Sequence, residues 1–231
     1  MMGASHVLAL ACTFSATSTF FGPVIAQLPP ESAARGEVAL TFDDGPDPVV
    51  TPRVLDILDT HQAKATFFCI ADEARQHSVL TREILARGHD VENHSATHSM
   101  ALGFYGPGRL VREITDAQNS LADITGTQPR FFRSPFGVRT PFTEPALARL
   151  GLRYVGWNVR SYDTVDRDGE SVARRVLRRM KPGSIVLLHD GVSIRRRARP
   201  ASASVLTALP RLLEAIRARG RSAVALRGAL S

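Results

Sequence analysis

Two adjacent carboxylates, Asp43 and Asp44, follow the apolar run Val38-Ala39-Leu40-Thr41-Phe42 and precede Gly45-Pro46. The run reads as a short buried strand, and Gly-Pro as the turn that ends it. Two like charges at the mouth of a buried strand repel each other and are costly to desolvate unless a cation or a proton lies between them. Partners for a cation stand further along, in Asn93-His94-Ser95-Ala96-Thr97-His98. The spacing of His94 and His98 puts both imidazoles on one face of a helical turn, and two histidines with one carboxylate form a divalent-metal set that leaves positions for water. One aspartate can bind the ion while the other stays off it as a base, because a divalent ion lowers the pKa of water towards ~7. Residue chemistry alone leaves open which aspartate does which. Zinc is the default ion for these ligands, and cobalt or manganese suits them too. Asn93-His94-Ser95 also matches a glycosylation sequon, but a pocket-lining asparagine is a poor acceptor.

Three more groups could share this chemistry. Arg133, in Arg133-Ser134-Pro135-Phe136-Gly137, is an always-charged fork able to hold a carboxylate ionised and oriented. His189 follows the apolar residues Ile185, Val186, Leu187 and Leu188, so it sits at the mouth of a buried strand. With Asp163 to hold its imidazolium, it could give a proton to a leaving group. Asp190 reads as a residue that shapes the turn.

These groups need elements to bring them together. Strand-like runs cover residues 38–42, 65–70, 89–92, 130–133, 153–157, 184–188 and 222–226. Amphipathic helical stretches lie between them at 52–60, 78–87, 108–124, 144–150, 169–180 and 204–219, the second opening on Ser78 as a cap and closing at Gly88. Seven strands alternating with helices imply a parallel sheet covered by helices, either a (β/α) barrel or a doubly wound open sheet. In both, active groups belong at the carboxyl ends of the strands. The acidic pair, the histidine pair, Arg133, Asp163 and His189 all fall there, so parallel strands would gather them on one rim.

Composition sets the outer limits. A chain of 231 residues with 44% hydrophobic and 22% charged residues is an ordinary globular protein able to bury a full core. A net charge of +7 favours anionic surroundings. Cys12 and Cys69 are too few for a disulfide scaffold, form no CxxC pair, and leave Cys69 as a buried structural thiol. Residues 1–34 carry one charged side chain, Glu31, and read as a leader, a weak anchor or a disordered extension ahead of a domain over 35–231. Export is the preferred reading, although the segment lacks a basic start and Ser and Thr interrupt its apolar stretch. Arg174, Arg175, Arg178 and Arg179 space like a solvated helix face. Arg195, Arg196, Arg197 and Arg199 lie in the loop after the sixth strand, where they could meet an anionic polymer.

The motifs TFDDGP, HSATH, RSPFG and LLHDG stand in this order across nearly the whole chain beyond the leader. They resemble those of the polysaccharide deacetylases with a NodB homology domain, carbohydrate esterase family 4. The resemblance implies an α/β fold, a single distorted (β/α)7 barrel. It also implies Asp43 as general base, Asp44, His94 and His98 as ligands of one divalent metal ion, and Arg133 as the residue orienting Asp43. The backbone N–H of Phe136 would help hold the oxyanion, and His189, tuned by Asp163, would be the general acid. One motif departs from the family pattern: in Trp157-Asn158-Val159-Arg160-Ser161-Tyr162-Asp163-Thr164, Arg160 replaces an aspartate and Thr164 a tryptophan. The implied reaction is metal-assisted hydrolysis of acetyl groups on an N-acetylglucosamine polymer of chitooligosaccharide or peptidoglycan type. The rivals are an O-acetyl esterase on acetylated xylan and a non-catalytic basic polymer-binding module. The expected partner is an N-acetylated carbohydrate, including an anionic cell-envelope polymer, and not nucleic acid. A monomer is expected, exported or envelope-associated rather than cytoplasmic.

Overall fold

The computed structural model describes residues 17–191 and 203–231. Cys12 and Arg195, Arg196, Arg197 and Arg199 lie outside the described residues, as does residues 1–16 of the expected leader. The fold is built on β1, Glu37–Asp43, which is buried from Val38 onward. A strand buried on both faces suits the centre of a parallel sheet, where helices cover the layers. It pairs in parallel with β2 (Thr66–Cys69) on one side and β7 (Ile185–His189) on the other, while β8 (Ser222–Val224) joins its beginning. Beyond β2 come β3 (Asp90–Asn93), β4 (Phe131–Phe132) and β5 (Arg153–Tyr154); beyond β7 comes β6 (Val159–Arg160). Every ladder is parallel. The curled sheet of a distorted barrel is thus the architecture, with β6 a strand that the apolar pattern missed. Its two residues are too few to show a period, and Arg160 breaks the apolar run.

Nine helices occur among the described residues: α1 (Pro30–Ala34), α2 (Val50–Thr60), α3 (Ala71–Gln76), α4 (Ser78–Ala86), α5 (Pro107–Thr125), α6 (Thr143–Leu150), α7 (Gly169–Arg179), α8 (Ala203–Ala218) and α9 (Leu226–Ala229). The strand period of two divides the core. Val38, Leu40 and Phe42 point to the helix layer, against Val54 and Leu58 of α2, Val176 of α7 and Leu209 of α8. Ala39 points the other way, towards Phe68, Phe131, Val155 and Ile185. Thr41 and Asp43 share that inner face by alternation. Cys69 is fully buried within the core, and burial raises its thiol pKa well above the ordinary range.

Three local expectations need correction. Helix α2 starts before Pro52, because the Asp47 carboxylate accepts the Val49 and Val50 N–H groups. Ser78 is not a cap: it is the first helical residue of α4, behind His77. The third concerns residue 35, which is not a packing boundary. Ile25 and Gln27 bridge to Val155 and Ser184, Leu28 is buried, and the Leu28 N–H donates to Gly183 O. The fully buried Arg139 guanidinium donates to the carbonyls of Ser18, Phe21, Gly22 and Pro23. This segment bridges the end of β5 and the start of β7, so its backbone groups pair with the domain rather than with water. Of the four arginines expected on a solvated face of α7, Arg175 is drawn in by Asp166 at 2.6 Å, and the other three are exposed.

Candidate active site

Adjacent residues of a strand point to opposite faces, so Asp43 and Asp44 could not share a site if β1 ran on unchanged. Asp44 has a φ of 74°, in the left-handed region that aspartate tolerates better than most residues. The strand ends there and the second carboxylate swings to the same side. The turn needs Gly45 and Gly191. A Cβ on Gly45 would lie 2.4 Å from Asp190 Oδ2, and one on Gly191 would lie 2.2 Å from the Asp44 carbonyl oxygen.

The histidine pair follows β3 but not on a helical turn. Ser95 and His98 have φ values of 70° and 51°. Side chains hold this loop: the Ser95 N–H donates to Asn93 Oδ1, and the His98 N–H to Ser95 Oγ. Asn93 is itself buried and donates to Ile114 O and Gln118 Oε1, which removes it as a sugar acceptor. His94 Nδ1 lies 2.8 Å from the Arg133 carbonyl. A carbonyl only accepts, so Nδ1 carries a proton and Nε2 is the atom that can act as ligand.

Asp44 Oδ1 lies 3.3 Å from His94 Nε2 and 3.0 Å from His98 Nε2, and the three ligand atoms all fall within 4.8 Å of one another. Ligands about 2.0–2.1 Å from one tetrahedral ion stand about 3.3 Å apart, so this spacing fits a small divalent cation. The donor set, two imidazoles and a carboxylate, fits as well. Burial alone would raise the Asp44 carboxyl, but hydrogen bonds from His94 and His98 outweigh it and hold it well below the usual carboxylate range.

Asp43 has a different neighbour. Arg133, fully buried at the end of β4, donates from Nη1 to Asp43 Oδ1 at 2.7 Å and to Thr41 Oγ1 at 2.8 Å. Its remaining donors reach Val155 O and Gly156 O, and its guanidinium lies over the Phe68 ring at 4.1 Å. All of these contacts fix its orientation. Pro135–Gly137 follows as a single 3₁₀ turn with Phe136 at a φ of 59°. The Gly137 and Val138 N–H groups bond back to Ser134 and Pro135, while the Phe136 N–H forms no hydrogen bond among the described residues. The Phe136 ring meets the His98 ring edge-on at 4.7 Å.

His189 closes the site from β7, in register with Asp43 across the β1–β7 ladder. Asp163 grips it twice, through the His189 N–H and through Nδ1, each at 2.8 Å. Burial would lower the imidazole pKa, but the charge and hydrogen bond of Asp163, aided by Asp44 and Asp43, push it up to about 9. Asp43, Asp44, His94, His98, Arg133, Phe136, Asp163 and His189 therefore lie together on one rim.

Two contributors escaped the sequence reading. Thr41 shares the Arg133 Nη1 donor with Asp43, and strand alternation alone would have placed it on that face. Asp190 does more than end a turn. It is buried beneath Gly45, accepts from Thr51 Oγ1 at 2.6 Å, and burial pushes its carboxyl up to about 7. Nothing in its sequence context signals the contact with Thr51, which comes from α2.

A family model described as polysaccharide deacetylase matches residues 31–155. A chitooligosaccharide deacetylase of Sinorhizobium fredii is 34% identical, over 84% of this chain and 91% of its own. A peptidoglycan-N-acetylglucosamine deacetylase of Bacillus cereus is 33% identical, over 74% of this chain and 81% of its own. Among solved structures, the family 4 carbohydrate esterase of Streptomyces lividans in complex with acetate superposes with a TM-score of 0.73 at 30% identity, covering 81% of this chain and 91% of that one.

Proposed function

The chain belongs to the polysaccharide deacetylase family, and from that premise we propose that it is a metal-dependent hydrolase removing N-linked acetyl groups from an N-acetylglucosamine-containing poly- or oligosaccharide. The observation that carries this reading is the division of the two aspartates, Asp43 to Arg133 and Asp44 to the histidines. Two carboxylates with different partners can hold different roles at one pH. Asp44, His94 and His98 hold the ion. When bound, a divalent ion supplies Lewis acidity, acidifying water and polarising the amide carbonyl. Asp43, kept ionised and aimed by Arg133, takes a proton from the attacking water. The Phe136 N–H donates to the carbonyl oxygen as it gains charge, a contribution typically of ~3 kcal/mol. His189, held through Nδ1 by Asp163, gives the Nε2 proton to the departing amine nitrogen. Acetate and a free amino sugar remain.

The catalytic domain of this reading spans residues 35–231, with a strap at residues 25–28 packed against it through Val155 and Ser184. It acts as a monomer on carbohydrate and not on nucleic acid. A polymer of the cell envelope places it outside the cytoplasm; no helix among the described residues is long and apolar enough to cross a membrane.

The test is acetate release from chitooligosaccharides, peptidoglycan and acetylated xylan, before and after chelation and with zinc, cobalt or manganese restored. Release from N-acetylated substrates that stops on chelation is the expected result. Release from xylan alone would replace the reading with an O-acetyl esterase. No release together with no bound ion would replace it with a binding module.

The raised His189 pKa gives a pH prediction with a definite sign. The folded state holds this proton more tightly than the unfolded chain, whose imidazole titrates at 6.5. Its stabilisation is therefore complete below pH 6.5 and is lost as pH rises through about 9. In the metal-free protein the unfolding midpoint should fall across this window, and by less in Asp163→Asn. The alkaline limb of kcat should likewise move to lower pH in Asp163→Asn. An unmoved limb would exclude His189 as the acid.

A further inference from the structure

Arg160 stands where the deacetylase motif has an aspartate, and the proposed function gives it no work. Its side chain is exposed and forms no ion pair or hydrogen bond among the described residues. It is nonetheless held in place. Its guanidinium lies 5.0 Å from the centre of the Tyr162 ring and 5.9 Å from that of Trp157. Tyr162, at a φ of 62°, leaves the strand path and stands 43% exposed beside it. Arg175 also approaches the Tyr162 ring, at 5.7 Å, but its charge is met by Asp166 at 2.6 Å. The Arg160 charge has no such match among the described residues.

The position is next to the chemistry. Arg160 pairs in register with Leu187 on β7, two residues before His189 and about 6.6 Å along the strand. Trp157 packs so closely on Gly137 that a Cβ there would come within 2.8 Å of its ring, which joins Arg160 to the turn carrying Phe136. An aromatic wall suits the C–H face of a sugar ring, and a guanidinium pinned against aromatic rings is a pre-formed fork for a carboxylate.

We propose that Arg160, with Tyr162 beside it, forms a subsite for a carboxylate on the sugar flanking the one that is deacetylated. This inference rests on the deacetylase reading. It makes the preferred substrate a carboxylate-bearing N-acetylated glycan rather than a neutral one.

The test compares kcat/KM on peptide-free peptidoglycan glycan strands, whose lactyl groups carry carboxylates, with the same strands after methyl esterification and with neutral chitooligosaccharides. The wild-type protein should favour the free carboxylate over its ester by about tenfold, and the preference should shrink with added salt. Arg160→Gln should remove that preference and its salt dependence, while Arg160→Lys should keep part of it. A preference unchanged in Arg160→Gln, or an equal loss on all three substrates, overturns the subsite and leaves the deacetylase reading standing. No acetate from any substrate with the wild-type protein overturns both.

Discussion

Asp43→Asn is expected to cut acetate release by about a thousandfold, within the range for loss of a positioned general base, and to leave divalent-ion uptake intact. The replacement keeps the shape and lets Oδ1 go on accepting from Arg133, which lies at 2.7 Å in the native protein. What it removes is the ability to take a proton. Asp44, His94 and His98 are untouched, so the ion should still bind. His189→Ala should be similarly damaging on an amide, whose amine must be protonated to leave, and much less damaging on an aryl acetate, whose aryloxide leaves without a proton. An Asp43→Asn protein with more than a tenth of native turnover, or equal losses for His189→Ala on amide and ester, would end the assignment.

Arg133→Met should destabilise the metal-free protein by about 3–5 kcal/mol, the scale for stranding one partner of a buried ion pair. The arginine is fully buried, and its loss leaves Asp43 with only the His94 ring at 3.8 Å and the carbonyls of Val155 and Gly156 without their donors. The paired variant Arg133→Met/Asp43→Asn should lose markedly less than the sum of the two single changes, because removing the charge removes the reason to have kept the arginine. Chemical denaturation measures all three. Additive losses, or a loss below about 1 kcal/mol for Arg133→Met, would show that Arg133 does not hold Asp43 in the way proposed.

The order of elements was legible because parallel strands and their covering helices carry long apolar patterns. β1, with every residue from Val38 buried, is the clearest example. β6 was not legible, since two residues, one of them an exposed arginine, show no pattern. The strap at residues 25–28 was also hidden: its composition resembles a leader, and only its pairing with Val155 and Ser184 assigns it to the sheet. The histidine loop was misjudged in the same way. A spacing of four suits a helix, but the two left-handed residues Ser95 and His98 bring the rings together without one.

Which side chains are in play is written in the chain, because reactive residues at the ends of buried strands stand out against apolar runs, and parallel strands can only gather them on one rim. The chain alone did not separate Asp43 from Asp44 by chemistry, since neighbouring carboxylates in one peptide are alike until their surroundings differ. The tertiary structure decided their surroundings. Alternation turns Asp43 inward to the Arg133 fork, and a left-handed φ turns Asp44 towards His94 and His98. These partners come from β4 and the loop after β3, and contacts between residues so distant in the chain are set by packing rather than by local pattern.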